Sequence, residues 1–335
     1  MRFLRRGDSA PPTDFWTWWS AARDRVASAI ESGGFDQKLI EEVSRAVRGI
    51  DPRLAWEFAP GKRSKHALCI SPEGNPETRP VALRWLASAP EPDATWEYHA
   101  SRQASASLPV LEVAGRRLDL GELRAISSWD DTRRRLDVRL WHDTFAQAPM
   151  PVRQQIGFLF LDNLLGEDEV ERWIGEIEVL DAPSGGKAPA ELKAEVDRHA
   201  ADQAGETWVL AQGSGDRGAP VIVMADAGLK RIDHPFADQH VTIRIQIEGG
   251  GMPDDALATT LNAEEDRLVG SLGDAAVLAA RTTTPGERAI HFVAEDLGRV
   301  RAGIDRWAQD APSWRVGVDF QQDVAWEFQR ELGIR

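Results

Sequence analysis

Apolar residues recur at helical spacing near the start of the chain. Phe15, Trp19, Ala22, Val26 and Ile30 define one stripe, which predicts a helix. Thr13 or Asp14 can cap it after Pro11-Pro12, and Gly33-Gly34 ends it. Leu39, Val43 and Val47 predict a second helix over 36–48, broken at Asp51-Pro52. The period then shortens to that of strands. A hairpin turns at Ala59-Pro60-Gly61-Lys62, where Pro and Gly suit the two central positions of a type II turn. A helix over 77–87 crosses back to a strand over 96–100, and further strands are expected at 110–113 and within 123–141. Asp130-Asp131-Thr132 is a hairpin tip. Residues 152–165 form a helix stopped by Gly166, and 169–180 form a short helix and strand.

The run from Pro183 to Pro189 has linker composition. Beyond it come a polar helix over 190–203 and strands at 208–212, 221–225 and 240–248. A helix follows over 254–272. A second hairpin turns at Thr284-Pro285-Gly286-Glu287. A helix over 297–309, a strand over 314–320 and a last helix over 323–332 complete the chain. The implied organisation is a flexible tail over 1–12, a domain over 13–182, a linker over 183–189 and a domain over 190–335. The fold class is α+β: each domain is an antiparallel sheet with helices on one face, related to a split βαβ or ferredoxin-like unit. Residues 54–98 and 278–316 share one order: a strand, a Pro-Gly turn, an apolar strand, a helix ending Arg-Trp, Ala-Pro, then a Trp-led strand. The order implies a partial internal duplication.

Composition narrows this picture. A chain of 335 residues is long enough for two domains with cores of their own. Hydrophobic residues at 42% and charged residues at 28% give a soluble balance, and no apolar run nears the roughly 18 residues that span a bilayer. The basic N-terminus has no apolar segment before Ala10, so a signal peptide is not expected. The single cysteine, Cys69, excludes an internal disulfide and points to a cytoplasmic location. The net charge of −14 argues against broad nucleic-acid or acidic-membrane binding.

Thr283-Thr284-Pro285-Gly286-Glu287-Arg288, the strand over 289–293, Ala311-Pro312-Ser313-Trp314 and the closing Asp323, Trp326 and Phe328 carry a resemblance. On these residues, the segment from about Gln239 to Arg335 resembles a bacterial family, domain of unknown function 695. Phe15-Trp16-Thr17-Trp18-Trp19 and the run from Phe160 to Glu167 resemble a domain that accompanies it. The resemblance implies fold rather than activity. Its members are similar in fold type to small bacterial inhibitor modules, including the ribonuclease E inhibitor B family.

Catalytic and metal motifs are weak throughout. Gly213 to Gly218 spells G-x-G-x-x-G, but a strand follows it, so a hairpin loop is the better reading. Trp141-His142-Asp143 reads as a polar strand end, since adjacent strand residues face opposite ways. His234 and His240 flank a loop with Asp233 and Asp238 and read as a polar hairpin rather than a metal site. Glu167-Asp168-Glu169 and Glu264-Glu265-Asp266 are expected to complement helix dipoles or face water. No catalytic residue, metal or cofactor is expected.

Tryptophan is the unusual residue, 13 against one tyrosine. Aromatic side chains dominate cores and also binding hot spots. Trp16 and Trp18 lie off the stripe of the first helix, leaving three placements open: between the domains, under the tail, or on the surface as an anchor. Trp326 and Phe328 pose the same question. The expected function is a non-enzymatic protein-binding module of inhibitor or immunity type, with these four residues as candidate contacts and another protein as partner. The alternatives are an enzyme or small-molecule-binding protein with an interdomain site, and a structural homo-oligomer.

Overall fold

The computed structural model describes residues 13–113, 116–182, 185–202, 207–215, 218–310 and 314–334. The expected tail over 1–12, Pro183 and Ser184 of the linker, Gln203, Asp216, Arg217 and the motif residues Ala311-Pro312-Ser313 lie outside the described residues. The chain divides into two compact units. One runs up to Ser128 and includes 136–197; the other comprises 129–135 and the chain from Arg198 onward.

The first unit opens with α1 (Thr13–Ser32) and α2 (Gln37–Arg48). The Asp36 carboxylate accepts from the Leu39 amide at 2.9 Å and caps α2. Next come β1 (Ala55–Pro60), β2 (His66–Ser71), α3 (Arg79–Ala87) and β3 (Trp96–His99). β1 and β2 are antiparallel, whereas α3 crosses over and lays β3 parallel to β2. A hairpin of β4 (Val110–Val113) and β5 (Arg116–Asp119) follows, then β6 (Arg124–Asp130) and β7 (Arg135–Trp141). After α4 (Met150–Leu165) and α5 (Glu167–Trp173), β8 (Ile174–Val179) pairs parallel with β7. The sheets of this part are therefore mixed rather than wholly antiparallel. The stripe expected on α1 is buried: Phe15, Trp19, Ala22 and Val26 share a core with Leu39, Val43, Leu68, Ile70, Trp85 and Trp96.

The first hairpin does not turn as its sequence suggests. β1 ends at Pro60, which pairs with His66, so Gly61 to Lys65 form a five-residue loop. Gly61 has no positive φ. The cause is Glu97 on β3, whose carboxylate accepts from the amides of Lys62, Arg63 and Ser64 at 2.8–2.9 Å. A long-range carboxylate overrides local turn chemistry here.

The second unit is built on β9 (Trp208–Ser214), β10 (Pro220–Asp226), β11 (Gln239–Gln246), β12 (Ala276–Thr284), β13 (Glu287–Ala294) and β14 (Val316–Gln322); α6 (Pro189–Ala201) comes before them and belongs mostly to the first unit. The strand order is β14-β11-β13-β12-β10-β9, with every neighbouring pair antiparallel. Helix α8 (Leu297–Asp310) carries the chain from β13 to β14, and β11 lies between them, which is a split βαβ arrangement. One sheet face presents Val241, Ile243, Ile245, Ile290 and Phe292 to α7 (Asp255–Leu272) and α8. Trp314, half-buried, packs against this core.

Helices were expected on one face, but the other face is also covered. Ala279 and Val293 pack under Trp326, Phe328 and Leu229, with Phe328 in the short helix α9 (Glu327–Glu331). β13 reads Glu-Arg-Ala-Ile-His-Phe-Val-Ala and is almost wholly buried. A strand apolar on both faces needs cover on both.

The second hairpin behaves as predicted. Gly286 has φ +87 between β12 and β13. Gly286→Val is expected to cost about 1–3 kcal/mol, because a β-branched residue resists that conformation. Chemical denaturation measures it, and an unchanged midpoint would refute the turn assignment.

Candidate functional site

The four residues singled out from the sequence are placed as follows. Trp16 is half-buried against its own unit, its ring stacked on Trp85 at 4.9 Å and its indole N–H donating to the Ser88 hydroxyl at 3.0 Å. Trp18 is half-buried and packs on Phe15 and Trp19 at 5.5 and 5.9 Å. Trp326 and Phe328 are buried, and the Trp326 indole donates to the Ala237 carbonyl at 2.7 Å. The first pair thus belongs to a tryptophan-rich aromatic cluster in the first unit, and the second to a core of the second unit.

Two backbone cradles in the first unit hold the chain's own carboxylates. Burial pushes the Glu97 carboxyl up, but the Lys62, Arg63 and Ser64 amides and His99 outweigh it and hold it down to about 2. Between β2 and α3, Glu167 fills a similar place. It accepts from the Ser71 hydroxyl at 2.7 Å, the Gly74 amide at 2.9 Å and the Arg102 amide at 3.1 Å. Buried Arg79 lies beside it, 3.6 Å from Glu167 and 2.7 Å from both Asp168 and Glu171. Of the two places expected for Glu167, at a helix dipole or facing water, it takes the first: it opens α5 and is buried. The crevice after a parallel strand is where anions bind in α/β proteins; here Glu167 occupies it.

The second unit carries a groove of about 630 Å³. Its floor is the end of β10 and the first half of β12. Its walls are α7 and the segment after β10. Glu265 projects from α7 and is 2% exposed. One carboxylate oxygen lies 3.2 Å from Arg281 on β12; the other is buried without a hydrogen-bond partner among the described residues. Burial raises the Glu265 pKa, opposed by Arg281 and Arg288. The Arg281 guanidinium sits 5.5 Å from the Trp208 ring centroid. Across the groove, buried Lys230 donates to the carbonyls of Arg133 and Arg134 at 2.9 and 3.2 Å. Burial, with the charges of Arg135 and Arg134, lowers its pKa to about 7. Asp226 ties the turn by accepting from the Thr207 and Gly228 amides, both at 2.8 Å. A second hollow of about 440 Å³ shares Asp233, His234, Asp274, Ala276 and Val277 with the first.

Against the expectation from the acidic run, Glu264 and Glu265 neither sit at the helix dipole nor face water; both are buried in the middle of α7. A signal was present, since Glu265 lies four residues after Leu261 and three before Leu268, on the buried stripe of α7. Nothing local marked Lys230, which depends on carbonyls nearly a hundred positions away.

Beneath the C-terminal segment, His240 on β11 meets His291 on β13, Nε2 to Nδ1 at 3.1 Å. Phe328 stacks on His240 at 4.2 Å. Burial, His240 and Arg244 lower the His291 pKa to about 3; burial also lowers His240, with Arg244 adding and Asp323 opposing. The folded value lies below the unfolded one, so this stability is present above about pH 6.5 and is lost as pH falls towards 3. At pH 5 the expected loss from His291 is about 2 kcal/mol. Denaturation of wild type and His291→Gln across pH 7.5 to 5 checks it: the wild type loses more, and equal losses would refute the assignment.

The remaining candidates are structural. The G-x-G-x-x-G run joins antiparallel β9 and β10, and the Gly215 amide donates to the Ala219 carbonyl at 2.8 Å. His142 accepts from the Thr144 amide at 3.2 Å and caps a short turn. Cys69 is buried, and burial pushes its thiol well up. No group of three or more His, Cys, Asp or Glu suited to a metal occurs among the described residues. Nor is any described helix long and apolar enough to cross a membrane.

The fold and groove define an α+β protein of two units whose C-terminal unit carries an open polar groove. Residues 208–332 match the model of a family of unknown function (DUF695). The match begins at Trp208 rather than near Gln239, so it takes in the groove residues Trp208, Asp226 and Lys230. No curated protein and no solved structure matches the chain.

Proposed function

We propose that the protein is a non-enzymatic binding module that holds a small polar molecule in the groove beside Glu265. The observation that carries this reading is Glu265, a buried residue of the groove lining with one carboxylate oxygen that has no hydrogen-bond partner among the described residues. A buried carboxylate oxygen without a donor costs stability, and a ligand that supplies the donor repays that cost. The shifted pKa values of Lys230 and Glu265 in one groove support a functional site. The test is a fragment screen by ligand-observed NMR on the full chain and on Ala276→Trp, a bulky side chain at a position that lines both hollows. Fragments that bind the wild type should be lost in the variant and recovered chemically unchanged. A screen that never distinguishes the two proteins refutes the reading.

A protein partner of inhibitor or immunity type is the second reading. It is favoured by β9, an edge strand on which Leu210 is 60% exposed. Leu210→Lys should abolish stoichiometric capture of such a partner; capture that survives would remove this reading. A cytoplasmic setting, supported by the single cysteine, and a duplication also belong to this proposal. The duplication is supported by the shared order of hairpin, crossover helix and returning strand in β1-β2-α3-β3 and β12-β13-α8-β14.

A further inference from the structure

We propose that the segment over 323–334 is an acid-released strap: it is docked on the sheet face that carries His240 and His291, and protonation of that pair frees it. Strand alternation sets the face. Val241, Ile243, Ile290 and Phe292 point to α7 and α8, so His240 and His291 point the other way, to the side on which Ala279 and Val293 pack under the segment. There Phe328 lies flat on His240, and its ring is 6.3 Å from that of His291. The two histidines are 8% and 9% exposed.

The hold of the segment on the sheet is local. Trp326 and Phe328 join Leu229 and Val293, and Ile334 joins Val223, Ala225 and Ala280. The Asp323 carboxylate accepts from the Glu327 and Phe328 amides at 2.8 and 3.0 Å. Helix α9 has five residues, too few to persist without packing. Trp326 takes φ +56, a left-handed conformation that costs a non-glycine residue free energy. Such a segment opens more readily than the six-stranded sheet beneath it.

Charge decides when it opens. His240 Nε2 faces His291 Nδ1, and the Thr242 and Thr282 hydroxyls approach the two Nε2 atoms at 3.3 and 3.4 Å. One proton fits between the facing nitrogens; two charged rings would set N–H against N–H. Arg244, next but one to Thr242 on β11, opposes a cation on either ring and is itself paired with Asp319 on β14 and Glu287 on β13. Asp323, on the segment, favours a cation on His240, but its oxygens are held by the two amides of its own turn. From β12 comes the uncharged Thr282, and on α9 Glu327 and Arg330 pair with each other. Burial outweighs these charges and lowers the pKa of both rings; water restores the ordinary value once Phe328 lifts. The docked state is thus favoured above about pH 6.5 and loses ground as pH falls towards 3. Between pH 7.5 and 5, His291 alone shifts the balance towards release about thirtyfold.

Hydrogen exchange of the full chain at pH 7.5 and 5, corrected for the intrinsic rate at each pH, reads the release. The Gln329, Leu332 and Ile334 amides bond within the segment. Their protection is expected to fall about thirtyfold, and to lie at least tenfold below that of β11 and β13 at both pH values. A fall of less than threefold would overturn the proposal. So would equal protection of segment and strands at pH 5, which would mean that the unit opens as a whole. Asp323→Asn removes the carboxylate of the segment's own turn; the pH effect should survive, and its disappearance would assign release to Asp323 rather than to the histidines. In His240→Gln combined with His291→Gln, protection of the segment should no longer depend on pH; an undiminished fall would overturn the proposal. Should that variant fail to fold, Phe328→Ala decides. It uncovers His240, so the segment should already exchange freely at pH 7.5, and protection equal to wild type would overturn the strap.

Discussion

Replacing Arg79 by leucine is expected to destabilise the first unit by about 3–5 kcal/mol, the range for stranding one side of a buried ion pair. The side chain is 2% exposed and faces Glu167, Asp168 and Glu171 at once. Without it, three carboxylates confront one another, and Glu167 cannot move away. It is tied to the Ser71 hydroxyl and to the Gly74 and Arg102 amides. Arg79→Lys separates charge from shape. Lysine keeps the cation but not the planar fork that reaches several carboxylates, so its variant should fall between leucine and wild type. Urea denaturation, followed by hydrogen exchange in β2 and α3, gives the result. A leucine variant within 1 kcal/mol of wild type would show that the network is weak. Equal lysine and leucine variants would show that packing, not charge, is lost.

The contrast between hairpins shows how much of this fold was legible. Thr284-Pro285-Gly286-Glu287 folds as its local chemistry dictates, with Gly286 at positive φ. Ala59-Pro60-Gly61-Lys62 has the same turn residues and does not, because Glu97, some thirty-five positions away, gathers three amides of the loop. Periodic elements such as α1, α4 and α7 were readable since each buries a stripe of its own. The crossover helix and returning strand were readable and implied a split βαβ unit; what fills the split was not, since β11 lies between β13 and β14 whereas β2 and β3 are direct neighbours, and strand neighbours are set by long-range packing.

Site residues divide the same way. Glu265 interrupts an apolar helical stripe, a pattern that marks a buried charge in need of a partner. Within the acidic run Glu264-Glu265-Asp266 the neighbouring charges mask the stripe position of the middle member. Lys230 and Trp208 had no such local mark. For Trp326 the sequence left burial and exposure open; it takes a left-handed backbone at φ +56 and is buried beside His234 and Phe328.

The second large effect is expected from Trp19→Ala, at about 3–5 kcal/mol for removing a fully buried aromatic side chain. Trp19 is 1% exposed at the centre of the α1 stripe. Its ring meets Trp96 edge-on at 4.8 Å and stacks towards Phe58 at 6.3 Å. Its indole N–H donates to the hydroxyl of Tyr98, the single tyrosine, at 3.0 Å. Alanine therefore opens a cavity between α1 and the β1-β2-β3 sheet and removes a buried hydrogen bond together. Trp19→Phe fills most of the volume but offers no donor, so its smaller cost isolates the hydrogen bond and the lost ring edge. The measurement is the urea midpoint of the transition that reports on the first unit, at unchanged slope. A midpoint shift worth less than 1 kcal/mol would mean that α1 does not depend on this ring. If instead Trp16→Ala costs as much as Trp19→Ala, the cluster is held from the Trp85 side, where Trp16 stacks at 4.9 Å, rather than from the sheet.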